Sequence, residues 1–166
     1  MINILHRIKW FIGVVLIQVL VLNQMHIYGY ATPFFYIYFI LKFNSKTSSN
    51  ELMAWAFALG ITIDMFSNTP GMNAAVATSL AFVRTPLLRL VTLRDMDESF
   101  LPGIDTLGMS SFFRYVLLTS SFFCTFLLLI DTFSFFDLGK LVLRVLTSTV
   151  ATIICIFCAE SIGRKK

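Results

Sequence analysis

Apolar residues fill this chain in six long blocks, and the polar residues gather between the blocks instead of alternating within them. A helix that is apolar all round lies either in a large core or in lipid. The first block covers about residues 8–27. Counted from Ile8 to Asn23 it is about 24 Å long at 1.5 Å per residue, and about 30 Å if it continues to Ile27, enough to cross a hydrocarbon core. The second covers 33–43 and opens on Pro33, a favourable first-turn residue. It is short for a crossing and would also suit a re-entrant or interfacial segment; it is assigned here as the second span. The remaining spans are 52–66, 70–91, 112–130 and 138–161.

The interruptions sort the ends of these spans. The turn from Met25 to Thr32 holds Tyr28 and Tyr30 and no Lys or Arg, which suits an aromatic belt on the non-cytoplasmic side. The stretch Lys42 to Glu51 carries two lysines, and Ser49 or Asn50 is placed to cap the third span. Spans three and four are joined by Ser67-Asn68-Thr69, with Thr69 as the expected cap and Pro70 as the expected first helical residue. Gly71, Ala75 and Ser79 recur every four residues and give span four a smooth face suited to close helix packing. Near its other end Pro86 is expected to kink or stop the helix, while Arg84 and Arg89 snorkel to the headgroups. Residues 92–111 form the longest polar interval, either a solvated cytoplasmic connector or a docking site for a cytoplasmic partner.

Composition strengthens this picture. The 166 residues are 57% apolar and only 13% charged, with a mean hydropathy of +0.82, where soluble domains carry about 25% charged residues. The expected fold is a single all-α integral membrane domain over 1–166, with six transmembrane helices. The formal charge of +4 does not point to nucleic acid, because the basic residues are scattered in small groups. Of the thirteen Lys and Arg residues, only Lys140 and Arg144 fall on the predicted outer half. That bias places both termini in the cytoplasm, including the basic tail Arg164-Lys165-Lys166. The first block lacks a small-x-small cleavage site and is expected to remain as a span. Cys155-Ile156-Phe157-Cys158 spells C-x-x-C, but inside an apolar helix it reads as a pair of inert thiols.

Asp64 is a carboxylate set inside an otherwise apolar run. It stands thirteen residues beyond Glu51, so a straight helix lifts it about 20 Å, to about 10 Å below the outer face. Arg144 reaches a similar depth from Asp137, and an ion pair between Asp64 and Arg144 is the expected partnership, because a lone charge at depth costs about 2.5–3.5 kcal/mol. The start of span four, after Pro70, offers free backbone amides to the same carboxylate, and Asn73 a side-chain amide. The constellation is either a lock between spans three, four and six or the lining of a cavity for a ligand or partner helix. No nucleotide-binding loop, zinc-protease helix or hydrolase elbow is present, and His6 and His26 fall at opposite faces. The expectation is a protein with no catalytic residues, cofactor or metal.

The run Gly60-Ile61-Thr62-Ile63-Asp64-Met65-Phe66-Ser67 with Pro70-Gly71-Met72-Asn73-Ala74 resembles the signature of the rod shape-determining MreD family, in which a glycine precedes an aspartate by four residues and a second glycine opens the next helix. Phe82-Val83-Arg84-Thr85-Pro86-Leu87-Leu88-Arg89 is also similar to that family. The resemblance implies a fold similar to the substrate-binding subunits of vitamin transporters, and a non-enzymatic subunit of the cell-elongation machinery in the bacterial inner membrane. It implies an MreC-like scaffold as partner and, through it, MreB, RodA and a penicillin-binding transpeptidase. Gly60, Asp64, Pro70, Gly71, Asn73 and Arg144 are then structural or partner-binding residues. The aromatic segments from Tyr28 to Tyr36 and from Phe133 to Phe136 become candidate MreC contacts. The alternative function is the substrate-binding membrane subunit of a small-molecule (vitamin) transporter.

Overall fold

The computed structural model describes residues 4–22, 32–92, 99–131 and 138–163. These residues are helical, with no strand among them. Helix α1 (Ile4–Ile17) runs into a π-helical turn, Gln18–Leu22; α2 is Ile37–Leu41, α3 Ser49–Ser67, α4 Met72–Val91, α5 Ile104–Leu107, α6 Met109–Asp131 and α7 Leu138–Gly163. Among the described residues, three stretches, Met72–Val91, Met109–Asp131 and Gly139–Gly163, are long and apolar enough to cross a membrane. The aromatic turn at Tyr28 and Tyr30, the charges from Arg94 to Glu98, Phe133 to Phe136, and Arg164 to Lys166 lie outside the described residues.

Residues 33–43 depart from the expectation of a regular span. Only Ile37–Leu41 is α-helical, and every residue from Pro33 to Leu41 is buried, so the segment is a strap threaded through the interior of the bundle. Its backbone explains why it must be enclosed. From Ile37 onward its N–H groups return to carbonyls of the segment itself, as Tyr38 does to Phe35 at 2.9 Å and Phe39 to Tyr36 at 3.1 Å, while the polar groups ahead of that turn need partners from elsewhere in an apolar bundle. Gln18, buried in the π-helical turn, donates to the Pro33 carbonyl at 3.0 Å and accepts from the Tyr36 N–H at 3.3 Å. From α7, Ser148 accepts from the Thr32 N–H at 3.2 Å and Thr152 from the Phe34 N–H at 3.0 Å.

The far end of the strap is closed by Arg84. This side chain does not snorkel: it is 1% exposed and donates to the carbonyls of Leu41, at 3.2 Å, and Phe43, and to the Tyr115 hydroxyl at 3.1 Å. A guanidinium carries five donors in a planar fork, which suits the orphan carbonyls at a helix C-terminus. The expectation of snorkelling considered only its place near the helix end and not the interior acceptors that α2 and Tyr115 present to it. Pro86 does not stop α4, which continues to Val91. Pro86 is exposed, while Arg84 and Leu88 are buried and anchor the turns on either side. Aromatic contacts then seat α1 on the strap and on α3, with Trp10 5.3 Å from Tyr38 and Phe11 5.7 Å from Phe39 and 6.1 Å from Trp55 between ring centres. Arg7 and Glu51 add an ion pair between α1 and α3.

The cap of α3 falls one residue earlier than expected: Ser48 accepts from the Glu51 N–H at 3.3 Å. At the far end of the chain's polar interval, part of the described stretch 99–108 is docked on the bundle while Leu101 and Asp105 stay exposed. Ser45 and Phe100 exchange two hydrogen bonds of 2.9 and 3.1 Å, and Pro102, Gly103 and Ile104 are buried.

Candidate functional site

The α3–α4 hairpin is built on a borrowed cap. A helix leaves its first amide N–H groups unpaired, and the usual remedy is a side-chain oxygen on the residue just before it, bonding the second or third N–H. Here that residue is Gly71, which has no side chain and takes a left-handed φ of 81°. Asp64, on the preceding helix, supplies the oxygen instead. Its Oδ1 accepts from the Asn73 N–H at 3.0 Å and its Oδ2 from the Ala74 N–H at 2.9 Å. Oδ1 also accepts from Asn73 Nδ2 at 2.9 Å and from Thr69 Oγ1 at 2.8 Å. Four hydrogen bonds and the positive end of the helix dipole thus hold a carboxylate that is 6% exposed.

Two local features bring the carboxylate there. Asn68 closes α3 in the left-handed region, φ 55° and ψ 38°, and its N–H returns to the Asp64 carbonyl; asparagine tolerates that conformation better than most residues. Gly60, one turn before Asp64, lets the helices touch. A Cβ built on it would lie 2.3 Å from Ala74 Cα and 2.7 Å from the Asn73 carbonyl oxygen. Thr69 and Pro70 therefore have other places than expected: α4 begins at Met72, Pro70 lies in the exposed turn, and Thr69 serves Asp64. The small face Gly71, Ala75 and Ser79 is not what packs on α3, since Gly71 and Ala75 are exposed and the close approach is made by Ala74.

Arg144 is not the partner of Asp64. Its guanidinium lies 3.6 Å from Asp131 at the end of α6, and the Asp64 carboxylate already has its complement of donors. The two sites are neighbours nonetheless. A cavity of about 460 Å³ opens between them, bordered by Tyr36, Ile63, Asn73, Leu127, Asp131 and Arg144. On its floor the Tyr36 hydroxyl donates to Asn73 Oδ1 at 2.6 Å, joining the strap to the hairpin. Tyr36 is fully buried, which removes it from the expected surface for a partner.

No family model, curated protein or solved structure matches the chain.

A second polar cluster, at the opposite end of the strap, was not foreseen. Glu160 on α7, 7% exposed, accepts from Lys42 at 2.8 Å, from the Tyr38 hydroxyl at 2.6 Å and from the Ile104 N–H at 3.3 Å. Gly103 lies against this group, and a Cβ there would come within 2.9 Å of Glu160 Oε1 and 3.0 Å of Lys42 Nζ. A burial-tolerant acid needs such a full set of donors, because desolvation otherwise exceeds the attraction of the pair. The signal in the sequence was a register: Arg144, Ser148, Thr152, Ile156 and Glu160 follow one another at intervals of four along α7. That spacing forms one ridge of a helix, and four of its five members are polar, including both charged residues between Leu141 and Gly163. Cys155 and Cys158 are free thiols.

Proposed function

We propose that this chain is a non-enzymatic, multi-pass subunit of the bacterial cell-elongation complex, of the MreD type, resident in the inner membrane with both termini in the cytoplasm. In this reading α1, the enclosed strap, α3, α4, α6 and α7 make six crossings. The subunit holds an MreC-like scaffold and, through it, couples MreB filaments to RodA and a penicillin-binding transpeptidase. The observation that carries the reading is the hairpin. A glycine four residues before an aspartate has a physical purpose here: the glycine admits the backbone of the next helix, and the aspartate, one turn later, caps it. A signature with that purpose supports a rigid membrane platform more than a catalyst, since every donor around Asp64 is engaged in holding structure.

The test is recovery of the full chain, affinity-tagged at its C-terminus, from native bacterial membranes in mild detergent, with co-purifying proteins identified by mass spectrometry. An MreC-like protein in near-equal amount is the expected result. Recovery of the intact, folded subunit without such a protein, from cells that express the scaffold, would overturn the reading.

A further inference from the structure

Asp131 and Arg144 meet where two long apolar helices have their ends. Helix α6 has 23 residues and α7 has 26, about 35 and 39 Å at 1.5 Å per residue, so both outrun a hydrocarbon core of about 30 Å and put their ends among lipid headgroups. Asp131 closes α6, and Arg144 stands about 9 Å along α7 from Leu138; an arginine at that depth extends its head back to the headgroup layer. The two are joined loosely. Their closest approach is 3.6 Å, with the Asp131 side chain 45% and the Arg144 side chain 37% exposed, and that separation is too long for a hydrogen bond. Both border the cavity of about 460 Å³, so the carboxylate and the guanidinium face open space and not packed side chains.

Lys140 adds a second cation. It is exposed and precedes Arg144 by four residues, a spacing that puts two side chains on one face of a helix. Like charges so placed repel, and an anion seated between them replaces the repulsion with two charge-assisted contacts. The Asp131 carboxylate then calls for a donor close to that anion. A hydrocarbon path leads inward from the same place. Leu143, Val150 and Ile154 are exposed, and steps of seven and four keep them on one side of α7. Ile154 lies about 15 Å deeper than Arg144, the depth of one leaflet. Of the three long apolar stretches, this helix is the least covered by the rest of the bundle.

We propose that this corner holds a membrane phospholipid whose head can donate hydrogen bonds. The phosphate takes the Arg144 fork and the Lys140 ammonium, the N–H or O–H groups of the head reach Asp131, and an acyl chain follows Leu143, Val150 and Ile154. A planar guanidinium matches phosphate oxygens in pairs. In phosphatidylethanolamine and phosphatidylglycerol a short carbon link separates the phosphate from the donor, which suits receiving groups only 3.6 Å apart. Phosphatidylcholine carries the same phosphate but has methyl groups where the donors would be. The site goes beyond the scaffold role and does not depend on it.

The experiment uses the full-length protein in a neutral detergent, with retained lipid counted by native mass spectrometry. The probes share their acyl chains: phosphatidylethanolamine, phosphatidylglycerol, phosphatidylcholine and diacylglycerol. The first two are expected to bind about tenfold more tightly than phosphatidylcholine, the worth of one charge-assisted hydrogen bond, and diacylglycerol least of all. Asp131→Ala, at an exposed position, should bring the three phospholipids level while keeping them above diacylglycerol. The double variant Lys140→Gln, Arg144→Gln should remove the advantage of the phosphate itself, with Arg144→Lys recovering part of it. Arg114→Gln alters an exposed base near the other end of α6 and should leave every ratio as it was. The comparison on the unaltered protein decides without any variant: phosphatidylcholine held as tightly as phosphatidylethanolamine and phosphatidylglycerol would overturn the proposal. A preference that survives both Asp131→Ala and the double variant, or that falls equally in Arg114→Gln, would overturn it as well.

Discussion

Gly60→Ala adds a single methyl group at the closest approach of α3 and α4. The new carbon would sit 2.3 Å from Ala74 Cα and 2.6 Å from its nitrogen, and both are backbone atoms that no rotamer change can move. Restoring van der Waals contact parts the helices by about 1 Å. The two bonds from the α4 amides to Asp64, now 3.0 and 2.9 Å, then stretch beyond hydrogen-bond range. Overpacking costs about 1–3 kcal/mol, and bonds to a charged acceptor are worth about 1.5–3 kcal/mol each. The better helix propensity of alanine returns about 1 kcal/mol. Because the terms overlap, the net expectation is a loss of about 3 kcal/mol, or about 6–12 °C in midpoint on the scaling of domains this size. Cys124 is fully buried, so a thiol-reactive dye reports unfolding in a Cys155→Ala, Cys158→Ala background. Gly13→Ala is the control: nothing lies within 4 Å of the added carbon, and its midpoint should hold or rise. A Gly60→Ala protein that melts with its parent would refute the account of the hairpin.

Other substitutions probe the remaining contacts. Asp64→Ala strands the Asn73 and Ala74 amides and should cost about 2–4 kcal/mol, with loss of the co-purifying partner; a stable, partner-competent Asp64→Ala protein would contradict the capping role, and Asp64→Asn, which keeps one acceptor, should fall between the two. Arg84→Lys keeps the charge but not the fork that spans Leu41, Phe43 and Tyr115, so it should destabilise by about 1.5–3 kcal/mol, whereas Arg89→Lys at an exposed position of the same helix should be silent in the same unfolding assay. Gln18→Leu preserves the size of the side chain and removes both bonds to the strap; amide hydrogen exchange should then accelerate at Tyr36 more than in α6.

The hairpin was legible because its parts are neighbours in sequence. Gly60, Asp64, Gly71 and Asn73 fall within fourteen residues, and the amides that Asp64 takes belong to the helix that follows it. Arg144 was misjudged by an argument from depth alone, which ranks levels in a bilayer and says nothing of azimuth; Asp131 sits at the end of the adjacent helix and takes the contact first. Residues 33–43 were read as a helix because the composition of an enclosed strap and of a short lipid-facing helix is the same. What separates them is the set of side chains elsewhere that serve the strap's backbone, Gln18, Arg84, Ser148 and Thr152, and these come from three distant segments. Only the four-residue polar register of α7 announced any of them.

That register also ties the two ends of the molecule together. Ser148 and Thr152 hold the N–H groups of Thr32 and Phe34, and Thr32, Phe34 and Arg144 all line the cavity. Further along the same ridge, Glu160 grips Lys42 and Tyr38 at the strap's other end together with the Ile104 N–H in the docked segment. The N–H groups of Thr32, Phe34 and Tyr36 are held by side chains of other segments, so the start of the strap follows those partners. A shift of α7 by even 1 Å would exceed the tolerance of hydrogen bonds near 3 Å and would have to carry the strap with it or release it. Release would loosen the Lys42–Glu160 contact, whereas carriage would keep it and move Thr32 and Phe34, which line the cavity, with the helix. One face of α7 therefore holds both ends of the strap, Thr32 and Phe34 through Ser148 and Thr152, and Tyr38 and Lys42 through Glu160.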